Sequence, residues 1–488
     1  MKRILFARIT TSSLLLAALL AAMAAFAARR PRYGGTLFID FEGRVNSLDP
    51  AQTPDSVVDR MAQSRILRLI ADCLVTLDQS GQPQPALAVS WTHDEAYKHW
   101  EFMLRNVKLQ DGSVVDVQSV VNSLQAANPS WHVSLPTENG PTAAGPWTPK
   151  VIIDFDTPQP DLLYRLAEPR NSILVRETDG SFAGTGPFRI VTWESGKHAV
   201  LAAKADYWGG RPFVDAIDIQ MGRTIRDRMI DLDLGKADIV DVAADRARID
   251  ASRGVRISAS APSELLAIVF LRSTATKDVR VRQALSQAID RASLVDFVLQ
   301  KEGDPAGGLV PQWCSGYAFL FSAAPTPAAQ TAQTTMQIPP AAALKLGYDS
   351  ADAMERAVAE RIAVNAQATG ISVSIHPIAG GTENWRGIDA MVMRLPLSSP
   401  DPAVALEDFL QTLAPIADLD SSLTAQISDP ASLEELYSRE HAVIDTYEVI
   451  PLAHVPEVVG LSTRIRDWMP THSGAWRLSD VWLDGVQP

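Results

Sequence analysis

The chain has 488 residues, of which 46% are apolar and 21% charged, and 44 basic against 57 acidic residues give a net charge of −13. These proportions are ordinary for globular proteins and exclude wholesale disorder, while the length predicts two or three lobes. The negative charge makes nucleic acid a poor partner. Two cysteines are too few for a disulfide scaffold or a cysteine-built zinc site. We therefore expect a large soluble protein.

The first 28 residues have the pattern of a cleavable export signal. Lys2, Arg3 and Arg8 form a basic start, and residues 14–28 form an unbroken apolar run that ends in small residues. The run is shorter than the ~20 residues that a membrane-spanning helix needs. An uncut anchor stays an alternative, since arginines follow at once. The absence of a cysteine after the run excludes a lipid anchor at this junction. We predict export to a periplasm or extracellular space, with a mature charge of about −16 once the three basic residues are removed.

The two cysteines could pair in an oxidising compartment, because exported proteins keep disulfides. Cys73 lies in an apolar stretch that is typical of a buried thiol, and Cys314 is far away in the sequence. We expect two separate buried thiols.

The first half of the chain predicts alternating strands and helices, with Gly184-Thr185-Gly186-Pro187 as a turn, because a proline at that place cannot open a phosphate-binding helix. The predicted elements, in chain order, are a strand at 36–39, a helix at 56–73, a strand at 74–77, a hairpin at 91–104, a helix capped by Asp116, a loop at 128–149, strands at 152–155, 188–191, 199–203 and 215–219, a helix at 224–234 and a strand at 237–240.

The second half contains the clearest helix, which begins at its N-cap Asp278 and keeps apolar residues three and four apart from Val281 to Leu299. Residues 322–343 are rich in Ala, Pro, Thr and Gln and predict an exposed linker or insert. A helix at 351–369 stopped by Gly370 and strands at 371–375 and 390–393 follow. Mixed helices and strands with no regular repeat predict a multi-lobed α/β (mixed α+β) fold.

Several motifs of catalysis are absent. The sequence has no GxxxxGK[ST] phosphate loop, no HExxH and no G-x-S-x-G, and its eight histidines include no i,i+4 pair. We therefore expect no metal site, no cofactor and no catalytic residues. A pair of carboxylates for glycoside hydrolysis stays open, although no two acids stand out.

Five segments keep the order and spacing of one known family. They are Tyr33-Gly34-Gly35-Thr36-Leu37 with Leu48-Asp49-Pro50; Leu74-Val75-Thr76-Leu77 with Pro85-Ala86-Leu87-Ala88 and Ser90-Trp91; Trp100-Glu101-Phe102-Met103-Leu104-Arg105 with Asp111-Gly112; Gly184-Thr185-Gly186-Pro187-Phe188 with Asp206-Tyr207-Trp208-Gly209-Gly210; and Asp278-Val279-Arg280-Val281-Arg282-Gln283-Ala284-Leu285. On these segments the chain resembles the extracellular solute-binding proteins of ABC transporters, family 5, whose members bind oligopeptides, dipeptides, nickel chelates or certain oligosaccharides. The motifs are mainly scaffold, so they identify the fold better than the ligand.

The resemblance implies a two-lobed periplasmic binding protein fold of the class II, or cluster C, type. Residues 33–258 and 447–488 would form lobe I, with an extra subdomain at about 51–170, and residues 259–446 would form lobe II. The lobes would close on a peptide-like or other small solute, and the closed protein, expected as a monomer, would dock to a membrane permease without catalysing a reaction.

The second half departs from the family near Asp401-Pro402, the step that peptide-binding members precede with a tryptophan and an acid. Here Leu395 stands in place of the tryptophan and Ser398 in place of the acid. This weakens the case for ordinary di- or tripeptides, since an ammonium would lose a charge-assisted partner worth ~1.5–3 kcal/mol. Arg394 favours an anionic ligand or else forms a salt bridge. The candidate ligand contacts are Asn46, Trp313, Trp385, Arg394, Ser398 and Asp401. Each tryptophan has core packing as its alternative.

Two other functions compete with transport. An exported binding protein that serves a sensor or acts as a chaperone would share every scaffold feature. A secreted hydrolase would require a defined pair of carboxylates in a cleft.

Overall fold

The computed structural model describes residues 31–54, 56–109, 112–136, 149–176, 181–272, 278–321, 343–367, 369–380, 382–425, 427, 432–470 and 476–485. The predicted leader at 1–28 lies outside these residues, as does the predicted insert at 322–343 except for Ala343.

The described residues form 21 strands, eleven α-helices and four short 3-10 or π segments. The strands are β1 Thr36–Asp40, β2 Val75–Leu77, β3 Pro83–Pro85, β4 Ala88–His93, β5 His99–Leu104, β6 His132–Ser134, β7 Lys150–Asp154, β8 Leu174–Arg176, β9 Phe182–Gly184, β10 Phe188–Glu194, β11 His198–Ala203, β12 Ala216–Gln220, β13 Ile239–Val242, β14 Arg256–Phe270, β15 Asp304–Pro305, β16 Ala343–Asp349, β17 Ser372–Ile378, β18 Ala390–Pro396, β19 Val449–Leu461, β20 Ile465–Arg466 and β21 Trp482–Leu483. The helices are α1 Val57–Ile70, α2 Val117–Ala127, α3 Leu162–Leu166, α4 Ile225–Asp233, α5 Ala244–Ser252, α6 Val279–Ala288, α7 Arg291–Ser293, α8 Gln312–Ser315, α9 Ala353–Gln367, α10 Pro402–Leu413 and α11 Leu433–Asp445.

One large mixed sheet runs through the molecule in the order β10-β11-β12-β1-β13-β19-β14-β18-β16-β17, and β15 pairs with β19. Strand β1 is parallel to β12 and β13, whereas β14 is antiparallel to β18 and β19. A separate four-stranded sheet, in the order β4-β5-β7-β6, lies between α1 and β8 in the chain. The predicted mixed α/β fold is confirmed.

Two long strands join the halves of the large sheet. Strands β14 and β19 pair from Arg256 opposite Leu461 to Val269 opposite Val449. Their register shifts around Pro262, which lies opposite Pro456, because a proline has no N–H to donate to the ladder. The sheet therefore passes through an irregular segment in its middle, next to the cleft described below.

Apolar clusters hold these layers together. One surrounds β1 and α1, a second fills the space between the four-stranded sheet and α2, a third lies beneath α10 and α11, and a fourth joins α9 to β14, β16 and β18. The second contains Trp100 and Phe102, whose rings stack with centroids 6.1 Å apart.

Most predicted elements occur within a few residues of their expected places, and three details differ. The helix from Asp278 ends at Ala288, because Asp290 caps a new turn by accepting a hydrogen bond from the Ser293 amide at 3.0 Å. The predicted loop at 128–149 includes strand β6. Asp116 precedes α2 as predicted, but its side chain makes no capping hydrogen bond.

The Gly184-Thr185-Gly186 turn packs directly against the end of α1. A Cβ on Gly184 would lie 1.9 Å from the carbonyl oxygen of Ile70, so no larger residue fits. The Gly186 amide donates to the same oxygen at 3.0 Å. The turn therefore fixes where α1 ends, which matters because α1 forms one wall of the cleft.

The two cysteines are free thiols, as predicted; Cys73 is buried and Cys314 is half-buried. Among the described residues no helix has the length and apolar character required to cross a bilayer.

Candidate functional site

A cavity of about 470 Å³, here called the main chamber, lies between α1 on one side and α10 with the end of β18 on the other. Its lining residues are Pro50, Thr53, Arg60, Met61, Gln63, Ser64, Arg65, Leu67, Arg68, Glu168, Pro169, Arg170, Ser263, Glu264, Leu395, Pro396, Leu397, Ser398, Asp408, Phe409, Gln411, Thr412 and Glu457. Segments that are distant in sequence thus converge on one space, as in a ligand-binding cleft.

A second cavity of about 320 Å³, the side chamber, adjoins the first. The two share the wall residues Met61, Arg65, Glu264 and Glu457. Eleven of the 24 residues that line the side chamber are charged, among them Arg228 of α4 and Asp245 and Arg246 of α5. Together the chambers form the cleft, and the irregular middle of the β14–β19 pair contributes to both.

Arg65 stands at the junction of the two chambers. Its guanidinium donates to Asp241 at 2.6 Å and to Glu457, and it lies 4.2 Å from the ring centroid of Trp476. The Trp476 indole N–H donates to Glu457 at 2.9 Å. Burial raises the pKa of Glu457, which the Arg65 guanidinium lowers only in part. The charge of Arg65 is therefore neutralised by Asp241 and Glu457 within the protein.

Arg394 is held in the same way. Its Nε and Nη2 donate to the two carboxylate oxygens of Glu264 at 2.6 and 2.9 Å, and its Nη1 donates to Asp352 at 2.9 Å. Its backbone amide donates to Glu355, whose pKa burial and the neighbouring Asp352 raise to about 8. Of the two roles considered for Arg394, the structure contains the salt bridge.

The structure brings two of the six predicted contacts to the cleft walls. Arg394 lines the side chamber and Ser398 lines the main chamber, where its hydroxyl oxygen is buried without a hydrogen-bond partner in the described part of the chain.

The other four predicted contacts are not among the wall residues of either chamber. Asn46 is exposed in the loop after β1. Trp313 donates its indole N–H to the carbonyl of Pro262 at 2.8 Å, and Trp385 packs in a small apolar cluster. Asp401 caps α10 by accepting from the amides of residues 403 and 404. Trp313 thus contacts the irregular strand segment beside the cleft.

Sequence reasoning missed the wall that α1 provides. Met61, Ser64, Arg65 and Arg68 all line the main chamber and follow the helical spacing i, i+3, i+4, i+7. Arg65 and Arg68 among the apolar residues of the second half of this helix were the available signal, because a charged side chain on a buried helix face needs a partner or a cavity.

Among the described residues, no group of three or more His, Cys, Asp or Glu side chains could hold a metal ion.

Comparison with known proteins places the fold. Residues 82–414 match the family model described as bacterial extracellular solute-binding proteins, family 5 Middle. The nickel-binding protein NikA of Staphylococcus aureus is 25% identical over 246 residues, which cover 48% of this chain and 49% of that protein. The probable D,D-dipeptide-binding periplasmic protein DdpA of Escherichia coli is 25% identical over 296 residues, 56% of each chain.

Each of these matches spans about half the length of the relative. Among solved structures, NikA from Brucella suis in complex with Fe(III)-EDTA superposes with a TM-score of 0.77 at 19% identity. The superposition covers 92% of this chain and 100% of that one. At this identity the likeness establishes the two-lobed fold.

Proposed function

Since the chain belongs to the bacterial extracellular solute-binding proteins of family 5, we propose that it is the extracytoplasmic solute-binding component of an ABC importer. It clamps a peptide-like or other small solute between two lobes and delivers the solute, chemically unchanged, to a permease in the membrane. The observation that carries this proposal is the main chamber, whose volume of about 470 Å³ falls within the usual range for small-molecule sites. The relatives named for nickel and D,D-dipeptide binding support a small solute as the cargo.

The proposed lobes follow the expected boundaries. Residues 33–258 with 447–488 form lobe I, which includes the subdomain at about 51–170, and residues 259–446 form lobe II. The chain passes between the proposed lobes at 258–259 and at 446–447, and strands β14 and β19 begin within three residues of these two boundaries. The pairing of the two strands shifts register around Pro262. Such an interrupted pair is a natural hinge, because fewer ladder hydrogen bonds resist bending there.

The proposal includes a location and a mode of action. The protein acts in the periplasm as a monomer, after removal of the leader at residues 1–28, and binds without catalysing a reaction. The ion pairs of Arg65 and Arg394 support a binding role, because the guanidinium N–H groups occupy carboxylate oxygens that a general base would need for a substrate's proton.

The test is recovery of the solute with the protein. Native mass spectrometry of protein purified from its own cells should show a small-molecule adduct. Ser64→Trp, which places an indole in the main chamber, should lose the adduct. Ser438→Trp, the same substitution at an exposed position of α11, should keep it. An adduct that survives Ser64→Trp, or a bound molecule that is converted to product, would refute the proposal.

A further inference from the structure

Arg68 lines the main chamber without an ion-pair partner among the residues that the structure describes. It lies in the last turn of α1 and lines the chamber. Among the described residues, its only hydrogen bond runs from Nη2 to the carbonyl oxygen of Ala167 at 3.3 Å, and no carboxylate lies within ion-pair distance. A guanidinium carries five N–H donors, so most of those of Arg68 have no partner in the described part of the chain.

The acids of the chamber are already engaged elsewhere. The pairs are Glu264 with Arg394, Glu457 with Arg65, and Glu168 and Asp408 with Arg170 at 2.6 and 3.8 Å. Among these acids, Glu168 interacts electrostatically with Arg68. Burial raises the pKa of Glu168 to about 7, so this carboxyl group carries only part of a negative charge near neutral pH. Burial also lowers the pKa of Arg68 itself. A cation that is removed from water without an anion is costly, and a ligand that brings the anion offsets that cost.

Besides its charged residues, the chamber wall consists of seven neutral polar residues and eight apolar ones, and Phe409 is the one aromatic residue among the residues that line it. The hydroxyl and amide side chains in the wall are Thr53, Gln63, Ser64, Ser263, Ser398, Gln411 and Thr412. This wall suits a ligand with many hydrogen-bonding groups better than one that binds by aromatic stacking.

We propose that the main chamber takes a small, polar organic anion and that the carboxylate or phosphate of this solute binds the guanidinium of Arg68. This inference rests on the proposed function and specifies its solute class. Arginine suits the task, because its planar fork matches the two oxygens of a carboxylate or phosphate and donates two parallel hydrogen bonds. This proposal assigns the binding of an anion to Arg68 instead of Arg394, because the N–H donors of Arg394 are occupied by Glu264 and Asp352.

The experiment divides a protein-free metabolite extract of the source cells into two fractions. An anion-exchange resin at pH 10 retains molecules whose carboxylates or phosphates give them a net negative charge, since α-amines have lost their proton there, and passes neutral and cationic molecules. Each fraction is then added at pH 7 to protein whose bound solute has been dialysed away, and adducts are detected by native mass spectrometry. We expect an adduct from the retained fraction alone. Phosphatase treatment of that fraction then distinguishes a phosphate, whose adduct disappears, from a carboxylate, whose adduct stays.

The matched variants locate the anion. Arg68→Gln should weaken binding of the adduct about 10- to 100-fold, as loss of a charge-assisted pair implies, and Arg68→Lys should weaken it less. Arg280→Gln removes the same charge from the exposed face of α6 and should leave binding unchanged. An adduct from the unretained fraction, or equal affinity in wild type and Arg68→Gln, would overturn the anion assignment while the solute-binding function stands. No adduct from either fraction would refute both proposals. The comparison of fractions uses wild-type protein, so it decides the question even where Arg68→Gln fails to fold.

Discussion

Arg165 joins the two sides of the cleft, and its removal gives the most direct test of how they are held. It lies on α3, just before residues 168–170 of the main-chamber wall. Its guanidinium donates to Asp161 at 2.8 Å on its own side, and to Glu407 and, at 3.4 Å, Asp408 on α10. The four side chains are only 10–16% exposed, so these are largely buried charges. The substitution Arg165→Gln removes this shared cation.

The expected loss follows from what the substitution leaves behind. Removing one partner of a buried ion pair typically costs about 3–5 kcal/mol, since the remaining charge stays out of water. Here three carboxylates lose their shared cation, and burial already raises the pKa of Glu407. For a chain of this size the unfolding entropy is about 1 kcal/mol per kelvin, so the melting temperature should fall by about 3–5 °C.

The assay is differential scanning calorimetry at pH 7, with Arg356→Gln as the control. Arg356 also pairs with a glutamate, Glu360 at 2.9 Å, but its side chain is 64% exposed, so its removal should leave the melting temperature unchanged. A fall for Arg165→Gln no larger than that of the control would show that this contact does not join the two sides in solution.

Three further predictions concern groups away from the chamber walls. Glu440 is fully buried and its pKa is raised from 4.5 to about 7, so its stabilising effect is complete below pH 4.5 and is lost as the pH rises through 7. Urea unfolding should therefore show a loss on the order of 3 kcal/mol from this group over that interval in wild type and none in Glu440→Gln; equal pH dependence would contradict the assignment. Burial raises the pKa of the Cys73 thiol to about 11 and raises that of Cys314 further, so neither should react with a disulfide reagent until the protein unfolds, when two thiols per chain should appear. Asp401→Ala should destabilise the protein by about 1 kcal/mol through loss of the α10 cap, whereas Asp401→Asn keeps a capping side chain; a loss of solute binding in Asp401→Asn at unchanged stability would establish a ligand contact instead.

Local patterns in the sequence were sufficient for most of the secondary structure. Hydrophobic spacing predicted α1 and the β4–β5 hairpin, and the capping aspartate predicted the start of α6, because these features depend on residues close together in the chain. The motifs that resemble family 5 led to the right fold, since they serve turns and packing.

The central strands β14 and β19 were not predicted, although they run for 15 and 13 residues. Prolines interrupt β19 at 451 and 456, and a proline normally argues against a central strand. The pairing that makes these strands stable is contributed by residues nearly 200 positions away, so no local window contains it.

For the walls of the cleft, too, residues close together in the chain predicted some features, and residues distant in the chain decided others. The residues of α1 follow a readable helical spacing, and Ser398 was recognised from its place in a family motif. The sequence did not predict which arginine remains available to a ligand. Arg65, Arg68 and Arg394 look alike in the sequence, and folding alone decides that acids from distant segments neutralise two of them while the third faces the chamber without a carboxylate from the described residues. The charge of a side chain belongs to the sequence, but its balance depends on neighbours that only the tertiary structure supplies.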